Sequence, residues 1–339
     1  MPWEQVECHP SVRETVVRAM AKGLMGHTVL IHGEPGAGQT AVARAIAQTY
    51  NCQELEHDFC GACRPCRLIA EKSFSDVLEL VPWKDWSDSE RKGKTYSVGH
   101  MREMQQFAMA LPMESKYKIF IIHQADLTNP SSGYPYAANS LLKILEEPYP
   151  HNIFLLITDR LERILPTIRS RCWSIRLPPL DAAGLARQLQ TSLPAEAAWT
   201  VARAAGGLPE LARQLIADEY LERRDQCLQT LERLRKEESA VLEEAERMGK
   251  VKDRVRDDLA ILLRLIRDGV LAANQAGGAV FFNPDRNEQI LRLWEGADTL
   301  ALIQGGEAIV KALEELDRSV NPNILLPDLL LGLRRTFRV

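Results

Sequence analysis

The sequence predicts an α/β fold followed by helices alone: a parallel sheet in the first half, then all-α structure. Two patterns carry this reading. Up to residue 178, short apolar runs rich in β-branched and aromatic residues alternate with helical stretches, the order that builds a parallel sheet covered on both faces. After Ser174-Ile175-Arg176-Leu177-Pro178-Pro179 the runs stop, and apolar residues recur at helical spacing instead.

In chain order, a helix is expected over residues 10–22, a buried strand over 28–32 and a helix over 40–50. A strand over 77–81 precedes a polar stretch with Gly and Ser, 83–96, which reads as an exposed loop. Then come a helix over 98–111, a strand over 118–122, a helix over 137–147 and a strand over 152–157. The strands are apolar at nearly every position, as strands buried between two helical layers must be. Further helices are expected over 181–190, 195–205 and 208–216. The charged stretch 218–258 reads as a solvated, partly exposed helix pair. Val255, Leu259, Leu262, Leu263, Ile266 and Val270 form one apolar helical stripe, repeated over 302–316 and 323–333, with an ambiguous strand signal at 279–282. This divides the chain into an α/β domain, 1–178, and helical domains at 179–217 and 218–339.

With 339 residues, 45% hydrophobic and 26% charged, the chain can bury more than one core. No stretch approaches the ~20 consecutive apolar residues of a membrane span. Met1-Pro2-Trp3-Glu4-Gln5-Val6-Glu7 lacks the basic-then-apolar order of a secretion signal, so a cytoplasmic chain without membrane partners is expected. Lys+Arg 42 against Asp+Glu 46 gives a net charge of -4. That argues against bulk nucleic-acid binding by the lone chain but permits a local basic face.

Gly33-Glu34-Pro35-Gly36-Ala37-Gly38-Gln39-Thr40 lies between the first strand and the next helix, the setting of a Walker A phosphate loop. Glycines turn backbone N–H groups inward, and the helix N-terminus adds partial positive charge. Gln39 stands where the motif requires Lys, so the cation that reaches the β- and γ-phosphates is missing; Thr40, the hydroxyl that meets Mg²⁺, is retained. The strand 118–122 ends in His123-Gln124 where a hydrolysing ATPase carries the acids that position Mg²⁺ and polarise water. Weak ATP or ADP binding through Gly33, Gly36, Gly38, Gln39 and Thr40 is compatible with this loop, and efficient hydrolysis is not expected.

Cys52, Cys60, Cys63 and Cys66 gather four of the seven cysteines in a short insertion after the phosphate-loop helix. Thiolates at this spacing, with Gly61 and Pro65 favouring tight turns, can close round one tetrahedral Zn²⁺. Four protein ligands leave no open position, so the expected zinc is structural. Cys8, Cys172 and Cys227 are scattered and read as packing residues.

Ala137-Ala138-Asn139-Ser140-Leu141-Leu142-Lys143-Ile144-Leu145-Glu146-Glu147-Pro148 and Thr167-Ile168-Arg169-Ser170-Arg171-Cys172 closely resemble signature segments of the bacterial replicative clamp loaders, the AAA+ subunits of DNA polymerase III. The four-cysteine insertion and Arg318-Ser319-Val320-Asn321-Pro322-Asn323-Ile324-Leu325-Leu326 resemble the same family, so the likeness spans nearly the whole chain. It implies an AAA+ core with a zinc module at 52–66, a helical lid and an oligomerising helical collar. Within the family, gamma/tau is the motor and delta-prime the stator with degenerate nucleotide motifs. Glu210 stands where a sensor-2 basic residue is expected, and Thr158 matches the sensor-1 position. Loss of the Walker lysine at Gln39, of the acids at His123-Gln124 and of the sensor-2 base at Glu210, with retention of Ser170-Arg171-Cys172, favours the delta-prime type.

The resemblance implies a hetero-oligomer with gamma/tau and delta that loads a sliding clamp on primed DNA. Arg171 is then the arginine finger lent to a neighbouring ATP site; Arg169 is its rival. Three other readings remain open: a gamma/tau-type active ATPase, a zinc-stabilised nucleic-acid-binding module, and an AAA+ paralogue outside replication. Lys143, Arg160, Arg163, Arg169 and Arg176 form a basic neighbourhood in sequence to which no DNA site is assigned.

Overall fold

The computed structural model describes every residue except 1, 7, 85–93, 97, 129–134, 275–280, 319 and 338–339. A 3-10 turn, Pro2–Gln5, leads into α1 (Pro10–Ala21), β1 (Thr28–Gly33), α2 (Gln39–Asn51), α3 (Arg64–Ala70) and β2 (Val77–Leu80). There follow β3 (Trp83–Lys84), β4 (Lys94–Thr95), α4 (Val98–Met109), β5 (Lys118–Ile122), α5 (Pro135–Glu146), β6 (Asn152–Thr158), α6 (Pro166–Arg169) and β7 (Trp173–Leu177). Five strands pair in the order β2-β5-β6-β1-β7, every pair parallel.

The two-residue period of the strands sorts their side chains into two layers. Val29, Ile31, Ile119, Ile121, Ile153 and Leu155 join Val42 and Ile46 of α2 in one core. Leu30, Phe120, Ile122, Phe154 and Leu156 join Met101 and Met104 of α4 and Leu141 and Leu145 of α5 in the other. Phe120 and Phe154 stack across β5 and β6 with ring centroids 4.5 Å apart.

Two expectations change in this part. β7 is a fifth strand where none was expected. Its buried Ile175 and Leu177 alternate with exposed Ser174 and Arg176, the weak signature of an edge strand. The expected loop 83–96 starts and ends in the paired β3 and β4, while 85–93 lie outside the described residues. Tyr96 is fully buried and its hydroxyl donates to the Leu80 carbonyl (3.0 Å), so this end of the stretch is not exposed.

The chain forms two compact units, one of residues Met1–Asp181 with Gly207–Glu210, the other of Ala182–Gly206 with Leu211–Val339. The second contains α7 (Ala182–Leu189), α8 (Ala195–Ala204) and most of α9 (Pro209–Ala217). It continues through α10 (Tyr220–Lys236), α11 (Ala240–Gly249), α12 (Lys252–Ala273), α13 (Asn287–Leu293), α14 (Thr299–Asp317) and α15 (Pro322–Arg335). Phe281 and Phe282 are not in a strand, and 279–280 fall outside the described residues. Among the described residues no helix is long and apolar enough to cross a membrane.

The charged stretch 218–258 forms α10, α11 and the start of α12, exposed on one side as expected, but its other side buries charged residues. α10 buries Arg223 and Arg224 beside Leu228, Leu231 and Leu234. Arg224 donates to both carboxylate oxygens of Asp285 at 2.8 Å, and Arg223 bonds Asp258 at 2.7 and 3.0 Å. Glu244 of α11 accepts from Thr230 (2.9 Å) and Arg247 (2.8 Å). Charges leave water only where such partners meet them.

A related tie joins the sheet to α2. Glu79, on edge strand β2, accepts from Arg44 of α2 at 2.7 Å and from His123, which follows β5, at 2.6 Å. Burial alone would raise the Glu79 pKa; the hydrogen bonds from His123 and Arg44, with the Arg44 charge, outweigh it and hold the group at about 2 instead of 4.5. A carboxylate lowered in this way stabilises the fold above its ordinary value and loses that contribution as pH falls towards the lowered one. Glu79→Gln is therefore expected to cost about 3 kcal/mol at neutral pH. Urea unfolding of the two proteins should show this gap narrowing as pH drops from 4.5 towards 2.

Candidate functional site

The loop between β1 and α2 has the backbone of a phosphate cradle. Gly36 and Gly38 adopt φ of 88° and 94°, values that L side chains reach only with strain. Gly33 runs so close to β7 that a Cβ there would lie 2.5 Å from the Leu177 carbonyl oxygen. Thr40, half-buried, sits in the first turn of α2.

Gln39 decides what the cradle can do. Its side chain is buried, and its Nε2 donates to the carbonyls of Glu34 (2.8 Å) and Gly33 (3.2 Å). An amide nitrogen has two hydrogens, and both are engaged by the loop itself. The position that would send a cation towards a polyphosphate is turned back on its own backbone. The loop is also held from outside: the Gly36 carbonyl accepts from the backbone N–H of Glu210 (3.1 Å), in the first turn of α9. The position expected to carry a sensor-2 base thus reaches the loop, bearing a carboxylate residue and contributing a main-chain bond.

The acidic positions are likewise engaged elsewhere. His123, at the magnesium-holding position, is bound to Glu79. Asp126 is buried in the 3-10 turn Ala125–Thr128 and accepts from the hydroxyl of Thr158 at the end of β6 (2.9 Å). The sequence left Glu79 and Arg44 unremarked. The available signal was an acid inside the otherwise apolar Val77-Leu78-Glu79-Leu80.

The four cysteines meet. The sulfurs of Cys52, Cys60, Cys63 and Cys66 all lie within 4.8 Å of one another, with Cys52 and Cys66 buried, and the group could hold a metal ion. Cys52 follows the last turn of α2, and Cys63 immediately precedes α3, whose second residue is Pro65. Gly61 takes φ 70° between them. The Cys63 N–H bonds the Cys60 sulfur (3.2 Å) and is the largest influence drawing that thiol down to about 7. Gln48 of α2 donates to the Cys66 carbonyl (2.7 Å), and Trp3 packs edge-on against Phe59, ring centroids 6.0 Å apart, while its indole N–H donates to Thr49 (2.9 Å). Cys8 and Cys227 are buried and Cys172 half-buried, in line with packing roles.

Arg171 follows α6 and is 39% exposed at its side chain. Its Nη1 donates to the Thr167 carbonyl (2.8 Å), and its Nη2 pairs with Glu146 Oε1 (2.9 Å). Arg169, exposed, has no ion pair among the described residues. It lies near His32 and Arg176; burial first, then these two positive charges, lowers the His32 pKa.

Comparison with known proteins agrees with this architecture. The family described as "DNA polymerase III, delta subunit" matches residues 8–181, and "DNA polymerase III, delta subunit, C terminal" matches residues 218–335. A DNA polymerase III subunit delta' of Pseudomonas aeruginosa is 31% identical over 229 residues, 66% of this chain and 66% of that one. The delta' subunit of Bacillus subtilis is 27% identical over 232 residues, 68% of this chain and 66% of its relative. The matched region thus spans slightly less than two thirds of each relative's length. A gamma/tau subunit of Mycobacterium bovis is 36% identical over 156 residues, 45% of this chain and 24% of its own. The sheet unit with its phosphate-type loop lies within the first matched region, and the helices from residue 218 onward lie within the second. This chain belongs to the DNA polymerase III delta-subunit family, with delta' subunits among its relatives.

Proposed function

We propose that the chain is a non-hydrolysing stator subunit of the cytoplasmic replicative clamp loader. In this reading it assembles with gamma/tau and delta through its C-terminal helices, residues 218–339, and helps load the sliding clamp on primed DNA. It lends Arg171 to the ATP site of an adjacent subunit. The observation that carries the proposal is the Gln39 side chain, bonded to the Gly33 and Glu34 carbonyls. Phosphoryl transfer depends on positive charge at the β- and γ-phosphates and on oxygen ligands for Mg²⁺. This loop offers a nucleotide backbone N–H groups and the Thr40 hydroxyl but no cation, and His123 is not a carboxylate.

An arginine held at an exposed turn can serve a partner without any hydrolysis in its own subunit. In GTPases such trans arginines contribute about 10³–10⁵ in rate by stabilising charge in the transition state. The four cysteines would bind Zn²⁺ as a closed structural site, because tetrahedral thiolate ligation leaves no position for substrate. Cys52, Cys60, Cys63 and Cys66 would then tie the 52–66 insertion together, next to the Trp3–Phe59 contact.

Three outcomes test this. The chain should co-purify with gamma/tau and delta, show no ATP turnover alone, and raise turnover when added to them; Arg171→Ala should preserve assembly and lower turnover at the served site by about 10³. Brisk hydrolysis by the isolated chain refutes the stator reading. Gln39→Lys should raise ATP affinity about tenfold, the order of one charge-assisted hydrogen bond, without creating turnover, as measured by nucleotide titration and phosphate release. Metal analysis should find about one Zn²⁺ per chain, and its removal by chelator should expose Trp3, giving a fluorescence change that Trp3→Phe abolishes.

A further inference from the structure

We propose that Glu146 is a positioning residue for Arg171, fixing the guanidinium in the attitude in which a neighbouring phosphate meets it. The inference rests on the reading of Arg171 as a trans arginine and adds a residue to that site. Its basis is the 2.9 Å ion pair between Arg171 Nη2 and Glu146 Oε1, taken with how firmly each partner's backbone is held.

Glu146 is the last residue of α5. Leu141, Ile144 and Leu145 bury the preceding turn, and the His27 ring donates from Nε2 to the Leu145 carbonyl (3.1 Å). The Glu147 N–H bonds the Lys143 carbonyl (3.1 Å), closing the helix. The carboxylate therefore projects from a fixed base. Arg171 is anchored comparably: Pro166 starts α6, Ile168 is buried, and the Arg171 N–H donates to the Ile168 carbonyl (3.0 Å).

Between these supports Nη1 of the guanidinium donates to the Thr167 carbonyl and lies 3.5 Å from the Ser170 hydroxyl, while Nη2 is ion-paired with Glu146 on a different element. Two such points fix the plane of a rigid fork. Arginine has five N–H donors, so Nε–H and one Nη2 hydrogen remain for an incoming phosphate. The pair is not there for stability, since the two side chains are 39% and 48% exposed and solvent screening leaves such surface pairs little net stabilisation. What it supplies is orientation. An arginine side chain otherwise samples many rotamers, and ordering it during the reaction is a rate penalty that a held geometry removes. The rival role, in which Glu146 competes with phosphate and restrains the finger, predicts a rate change of opposite sign.

The test uses the reconstituted loader with clamp and primed DNA, reading kcat, KM for ATP and thermal stability. Glu146→Gln should lower kcat by about three- to tenfold, the scale of a modest loss of orientation, with KM and melting temperature unchanged. Glu146→Asp, which keeps the charge, should recover part of the loss. In an Arg171→Ala background, Glu146→Gln should have no additional effect. A normal or raised kcat for Glu146→Gln overturns the proposal, as does a further fall in the Arg171→Ala background. If Arg171→Ala itself leaves the rate unchanged, the trans-arginine reading fails and Glu146 falls with it. An impaired Arg171→Ala beside a normal Glu146→Gln removes Glu146 alone.

Discussion

The chemistry of this chain turns on one side-chain amide. By donating to Glu34 and Gly33, Gln39 satisfies carbonyls of the loop from which it springs. A lysine in its place would bring an unpaired positive charge to the mouth of the loop, and a bound polyphosphate would be its natural counterpart. The amide is neutral and internally satisfied, so the cradle keeps its shape without an anion. Glu79 has a parallel effect on the sheet: by engaging His123 and Arg44, it gives the end of β5 a protein partner. In both places a polar side chain is satisfied by contacts inside the fold.

The helical unit follows the same rule on a larger scale. Arg224 is 2% exposed and sits among leucines, yet Asp285 meets it with two oxygens, and Asp285 in turn accepts from Thr200 of α8 (2.7 Å). Asp268, also fully buried, accepts from the N–H groups of Phe282 (2.8 Å) and Asn283 (2.9 Å). The segment Phe281–Asp285, which forms no strand, is thereby fastened to α10 and α12 by directional bonds. Such networks constrain geometry more strongly than unshaped apolar contact, because an unpaired member is heavily penalised.

Features whose parts are close in sequence were the legible ones. The phosphate loop and the cysteine cluster each occupy one short segment, so spacing alone disclosed their geometry. The central strands declared themselves through unbroken apolar runs. β7 escaped because an edge strand buries only alternate residues, and Arg176 disguised it. Arg223 and Arg224 escaped for a different reason: charged residues default to solvent, and their acceptors, Asp258 and Asp285, lie 35 and 61 positions away. The Glu146–Arg171 pair is hidden in the same way, although both residues stand inside segments that the family resemblance had marked.

Trp3 has a practical bearing on how the protein is handled. Its ring is lodged against Phe59, the immediate neighbour of Cys60, so a segment fused ahead of it adjoins the insertion that carries the thiols and any ion they would hold. A polyhistidine tag at that end would offer imidazoles to the same ion, and a nickel column would offer a foreign ion to the same sulfurs. A handle at the opposite terminus avoids the first exchange, and one that needs no metal resin avoids the second.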